Sequence, residues 1–289
     1  MDNMRGAVLM VLAMLGFAVE DMFIKLLSDA ASVGQILIML GFGGSVVFGL
    51  IVLMQGKPLF ARDMLTAPIC LRGLGEMVGT VAFVSALSLT PISSASAILQ
   101  ATPLVVTLGA ALFLGEPVGW RRWSAICVGL FGVLLIIRPG MDSFQVLSLL
   151  AVVAVFMLAL RDLATRRTPA TITTMQLSFL GFFVLIPAGI VLMLVMQTPV
   201  VSFAVRGWLY FLSALTIGLF AYYAIVAAMR VGEVSFVTPF RYARLVFALI
   251  IGVTIFNESP DALTLIGAAI IVASGIYTVW RERRVARQA

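Results

Sequence analysis

Leu114-Gly115-Glu116-Pro117 closes one apolar run of the chain, and Phe256-Asn257-Glu258-Ser259-Pro260 closes another. The two glutamates stand 142 residues apart. One more apolar helix follows each turn, the first ending at Arg138 and the second near Arg281. The same offset sets Ala125 against Gly267 and Glu20 against Asp162. The sequence therefore divides into two related halves, residues 1–140 and 141–289.

What fills each half is apolar. Of 289 residues, 62% are hydrophobic and 11% charged, with a mean hydropathy of +1.14. Soluble domains run to ~45–50% apolar and ~25% charged. A membrane-spanning helix needs ~20 mostly apolar residues. Ten such spans are expected, near 6–27, 33–54, 66–88, 92–114, 123–138, 144–165, 172–196, 206–229, 234–256 and 261–280. The fifth is short and is open to an earlier start at Trp120. The third and fourth are joined only by Leu89-Thr90-Pro91. Glu20 and Asp21 interrupt the first run, which lacks a small-residue cleavage site, so it reads as a retained helix.

Five spans per half is an odd number, so the second half enters the membrane from the opposite face. The expected fold class is an all-α integral membrane protein with ten transmembrane helices as two inverted five-helix repeats. Such repeats place a binding site near the midplane where the halves meet.

Charge sets the orientation. Lys57, Arg62, Arg121, Arg122, Arg166, Arg167 and Arg230 fall in loops on one side, with Arg5 and the basic tail. The opposite loops carry Arg138 and Arg206, with Lys25 near that face. By the positive-inside rule both termini are expected in the cytoplasm. The formal charge of +6 then reads as a topology signal rather than a nucleic-acid surface. Trp120, Trp123, Trp208 and Trp280 lie at span ends, as interfacial belts do.

The chain has no histidine, and its two cysteines, Cys70 and Cys127, sit in apolar runs. Neither a metal site nor a disulfide framework is expected, and no cofactor.

These motifs resemble the EamA family of the drug/metabolite transporter superfamily. The resemblance rests on Ser93-Ser94-Ala95-Ser96 leading to Pro103, the turn at 114–117, and Gly129 with Gly132. In the second copy it rests on Val234 to Pro239, Asn257-Glu258, Gly267 and Gly275. It covers the whole chain and departs from the usual Gly-Glu only at Asn257. It implies a central cavity lined by spans 1, 3, 4, 6, 8 and 9, with spans 5 and 10 peripheral. Within the family the chain looks most like bacterial amino acid exporters, including those for aromatic amino acids. That implies the bacterial inner membrane and export by alternating access.

Ionisable groups inside a span are costly and need an explanation. Arg241 and Arg244 lie three apart on one face of span 9, and a guanidinium suits a carboxylate. They are read as a substrate site or as partners of Glu76, Glu20 or Asp162. Glu20 is read as an ammonium or proton site, whereas Asp21 is expected to pair with Lys25 one turn on. Glu76 lies between Gly75 and Gly79, which allow close helix approach, and is read either as an ammonium ligand or as a structural tie to Arg241 or Arg244. Ser96 and Gln100 offer neutral hydrogen bonds, and Phe83, Tyr222 and Tyr242 offer walls for a flat side chain. Pro103 and Pro239 are candidate hinges, and Arg161 with Asp162 is read as an inner gate or as a topology anchor with a local partner.

A zwitterion would use both signs of charge, so the expected function is a secondary transporter of small zwitterionic metabolites, amino acids first. Its partners are a small-molecule substrate and membrane lipid, with no nucleic acid, and a monomer suffices. An anionic or nucleotide-like solute, or uptake, is the alternative. A membrane enzyme acting on a lipid-linked substrate would need a nucleophile–base pair or a metal cluster, and no such motif is present. A passive channel would need a pore-lining ring.

Overall fold

The computed structural model describes residues 2–60, 62–113, 119–139, 145–169, 171–231 and 237–286. The turn at 114–117 and residues 234–236 of the resembling motif lie outside them. Twelve α-helices are described: α1 (Asp2–Ser28), α2 (Val33–Met54), α3 (Ala67–Leu89), α4 (Ile92–Leu99), α5 (Thr102–Phe113) and α6 (Trp120–Ile137). The second half holds α7 (Ser148–Thr165), α8 (Thr174–Phe183), α9 (Leu185–Met196), α10 (Val205–Val231), α11 (Ala243–Ile255) and α12 (Ala262–Ala286). A 3₁₀ segment, Thr238–Tyr242, precedes α11.

Among the described residues, eight helical stretches are long and apolar enough to span a bilayer, and two shorter apolar helices, Trp123–Ile137 and Ala262–Thr278, complete ten spans. Spans 4 and 7 are each two helices end to end, α4 with α5 and α8 with α9. The fifth span begins at Trp120, the earlier of its two expected starts.

Proline explains the break in span 4. Pro103 lacks an N–H, and its ring crowds the carbonyl four residues back, that of Leu99. The Thr102 hydroxyl donates to that carbonyl at 2.6 Å instead, and the Thr107 hydroxyl donates to Pro103 O at 2.9 Å. Two helix starts are capped locally. Thr173 and Gln176 form a capping box at α8, and Ser32 accepts from the Gln35 N–H at α2.

The major interfaces join one half to the other. α1 packs along α10, α3 along α7, α6 along α12, α2 along α8 and α9, and α4 along α11. This set is closed under exchange of the halves: span 1 on span 8 becomes span 6 on span 3, and the other pairs map onto themselves. The glycine contacts obey the same exchange. A Cβ on Gly16 would meet Ala221 Cβ at 2.8 Å, and one on Gly79 would meet Leu158 at 2.9 Å. Leu158 and Ala221 stand 142 residues after Gly16 and Gly79. α6 and α12 touch backbone to backbone, a Cβ on Gly132 lying 2.8 Å from Gly267 O. α1 begins and α12 ends at one end of the bundle, the terminal end. The α3–α4 turn lies at the other, the hairpin end.

Candidate functional site

Between the halves the chain places most of its intramembrane charge, in two paired groups. In the first, Arg244 at the start of α11 donates to Asp21 of α1, from Nη2 at 2.6 Å and from Nε at 3.2 Å. Its guanidinium also lies over two rings, 5.3 Å from Phe17 and 5.5 Å from Phe83. Arg244 is thus held by an ion pair and two ring faces. The expected Asp21–Lys25 pair is replaced. Lys25 Nζ instead donates to Leu87 O at 2.7 Å and Thr90 O at 2.6 Å, at the end of α3. Terminal carbonyls without helical partners draw the ammonium away.

In the second group, Gly75 admits α7 so closely that a Cβ there would sit 2.6 Å from Met157 O and 2.8 Å from Arg161 N. Arg161 Nη1 then donates to Glu76 Oε1 at 3.2 Å, and Arg161 Nη2 lies 2.8 Å from Asp162 Oδ1. Arg72 adds a looser contact to Glu76 at 3.7 Å. Glu76 therefore ties α3 to α7 rather than to Arg241 or Arg244. Two arginines and two carboxylates balance.

Of the side chains Glu20, Asp21, Arg72, Glu76, Arg161, Asp162, Arg241 and Arg244, only Arg241 and Glu20 lack a hydrogen-bonded or ion-paired partner among the described residues. They are of opposite sign. The Glu20 carboxylate abuts Gly218 of α10, where a Cβ would lie 2.3 Å from Oε1. The counterpart of this contact in the other half is Asp162 beside Glu76, where Arg161 supplies the cation that Glu20 lacks.

Gln100, at the break of span 4, donates from Nε2 to Arg241 O at 3.1 Å. The broken segments of spans 4 and 9 thus meet each other. Discontinuous spans of this kind expose backbone polar groups at the binding sites of inverted-repeat transporters. Ser96 lies one turn above Gln100, buried, its hydroxyl without a partner. Phe83 is buried under Arg244.

Two expected wall residues lie elsewhere. Tyr242 turns toward α12, its ring filling the space where a Cβ on Gly275 would stand. Tyr222 shares a hydrogen bond with Ser178 of α8 and packs edge-on to Phe48 of α2 at 5.1 Å. Pro103 and Pro239 lie at the two breaks. Asp21 was missed as a partner of Arg244. The signal for it was its neighbour Glu20: residues ~100° apart on a helix face different surroundings, and one of them had to meet span 9.

Two interlocked, inverted five-helix halves around a charged centre define an inverted-repeat membrane transporter. The model of the EamA-like transporter family matches this chain twice, at residues 4–138 and 146–280, and the chain belongs to that family. The two matched stretches are displaced by the same 142 residues as Glu116 and Glu258. Curated relatives are named as transporters of small metabolites. The S-adenosylmethionine uptake transporter of Rickettsia prowazekii is 24% identical over 281 residues, covering 97% of this chain and 94% of that protein. The riboflavin transporter of Vibrio cholerae is 31% identical over 204 residues, 68% of this chain and 66% of its own length. The pseudopaline exporter CntI of Pseudomonas aeruginosa is 25% identical over 272 residues, 94% of each chain. A solved structure, 19% identical, superposes with a TM-score of 0.61 over 95% of this chain and 98% of that one. At that identity it bears on the fold alone.

Proposed function

We propose that the protein moves a small zwitterionic metabolite, an amino acid or amino acid derivative, across the bacterial inner membrane by alternating access. The observation that carries this is the unpaired couple Arg241 and Glu20. A carboxylate on the solute answers Arg241 as a planar fork. An ammonium answers Glu20. Gln100 and Ser96 supply neutral hydrogen bonds between them, and the rings of Phe17 and Phe83 line the Arg244 side. S-adenosylmethionine, named for the Rickettsia relatives, carries an ammonium and a carboxylate on one carbon, which favours this class.

The halves 1–140 and 141–289 act as the two moving bodies, with Pro103 and Pro239 at their hinges. The Arg161–Asp162 pair near the terminal end serves as an inner gate. The basic loops favour both termini on the cytoplasmic side. Aromatic amino acids fit the ring-lined side, and transport runs outward, down a cytoplasmic excess. A monomer encloses the site. A second reading, uptake of a larger flat-ringed solute, is favoured by the names of the S-adenosylmethionine and riboflavin relatives.

The test is counterflow in liposomes holding the purified protein, screened with amino acids, S-adenosylmethionine, riboflavin, polyamines and nucleotides. Saturable exchange of zwitterions, absent for decarboxylated analogues, is expected. Exchange of polyamines or nucleotides alone would end the zwitterion reading, and linear uptake would end the carrier reading.

A further inference from the structure

The α3–α4 hairpin is gripped by two charges. Lys25 of α1 holds the last carbonyls of α3, within the first half. Glu258 comes from the second half, in the loop after α11, and holds the first N–H groups of α4. Its Oε1 accepts from the Ile92 N–H at 2.6 Å; its Oε2 accepts from the Ser93 N–H at 3.1 Å and the Ser93 hydroxyl at 2.6 Å.

These donors need an outside acceptor. The residue before α4 is Pro91, which provides no side-chain cap. The first N–H groups of a helix have no partner of their own, and a carboxylate meets both their hydrogen bonds and the helix dipole. Glu258 is aimed at them by local structure. Asn257 takes a left-handed φ of 51°, and the Glu258 N–H returns to Gly252 O at 2.9 Å. A Cβ on Gly252 would sit 2.6 Å from Glu258 Oε2, so only glycine leaves the carboxylate its place.

We infer that Glu258 is the latch of the hairpin-end mouth, a positioning residue that releases α4 each time the mouth opens. The inference rests on the alternating-access reading, in which spans 4 and 9 separate at one end at a time. A polar cavity of about 400 Å³ flanks the latch, lined in part by Ser93, Ser94, Ser148, Asn257 and Glu258 itself. Water entering there replaces the carboxylate on Ile92 and Ser93, so release leaves no donor bare.

The test reads accessibility without any solute, so it stands or falls apart from substrate identity. A Ser96→Cys reporter is placed in a Cys70→Ser, Cys127→Ser background, in sealed vesicles of known orientation. A membrane-impermeant thiol reagent is added on the hairpin side. Glu258→Gln is expected to raise the labelling rate about tenfold, as the loss of a charged acceptor's advantage of ~1.4 kcal/mol would do. Ser93→Ala, which removes one of the three contacts, is expected to raise it less. Asp261→Asn, which breaks the neighbouring Arg138 pair but leaves α4 untouched, is expected to leave it unchanged. An unaltered rate in Glu258→Gln and Ser93→Ala protein that elutes as native, or an equal rise in Asp261→Asn, overturns the latch.

Discussion

Asp21 Oδ2 lies 2.6 Å from Nη2 of Arg244, so one ion pair joins the first helix of one half to the ninth span of the other. Asp21 is almost wholly buried, at 3% exposure. Removing one member of a buried pair strands the other, at a cost of about 3–5 kcal/mol. Asp21→Asn and Arg244→Gln are each expected to lower thermal stability in detergent by that order. The exchange Asp21→Arg with Arg244→Asp is expected to recover part of it. Recovery of nothing would assign the loss to the packing of Phe17 and Phe83 instead.

Arg241 and Glu20 are expected to behave differently, because nothing in the fold depends on pairing them. Arg241→Gln should cut exchange of carboxylate-bearing solutes about tenfold or more, equivalent to ~1.4 kcal/mol, with little change in melting temperature. Glu20→Gln should cost solutes their preference for an ammonium group and spare those without one. Parallel melting curves and counterflow rates check both. A melting loss as large as that of Arg244→Gln would make Arg241 a structural residue.

Two glycines of α3 separate close packing from mere occupancy. A Cβ on Gly75 would meet the α7 backbone, whereas one on Gly73 would find Val184 Cγ1 at a comfortable 3.8 Å. Gly75→Ala is expected to cost ~1–3 kcal/mol through overpacking and to loosen the Glu76–Arg161 tie. Gly73→Ala is expected to be neutral or to gain up to ~1 kcal/mol from helix propensity. Unfolding midpoints of the two variants, run side by side, decide the matter.

At the hairpin end, Asp261 accepts from Arg138 and from the Thr264 N–H, and these hydrogen bonds hold its carboxyl well below the usual carboxylate range. A depressed folded value stabilises the fold above the ordinary Asp pKa, and that stabilisation fades as pH falls toward the folded value. The melting difference between the native protein and Asp261→Asn is therefore expected to be full near pH 7. It should shrink below about pH 4, where the unfolded carboxyl takes up its proton. A difference that grows on acidification would contradict the assignment.

The ten spans and the halved repeat were legible because lipid imposes a length and a hydropathy, and because the 142-residue offset is written in residues such as Glu20 and Asp162. The interlocking of the halves was legible only in part, through Gly75 and Gly79. Pairing was harder. Helical spacing pointed Asp21 at Lys25, yet Lys25 reaches the end of α3, and no periodicity records where another helix terminates. Tyr242 shared a short segment with two arginines and still faces α12, because a 3₁₀ turn rotates neighbours by ~120° rather than ~100°. The two turns that carried the family likeness divide as well: the one holding Glu258 is described, and the one holding Glu116 lies outside the described residues.

The interruption of span 4 at Gln100 and Ala101, facing the 3₁₀ segment of span 9, has a mechanical meaning. An unbroken rod transmits bending and torque along its whole length. Two short rods joined by a turn transmit less. Swinging α4 away from Glu258 therefore need not drag α5 with it, and each portal of the carrier is free to move on its own.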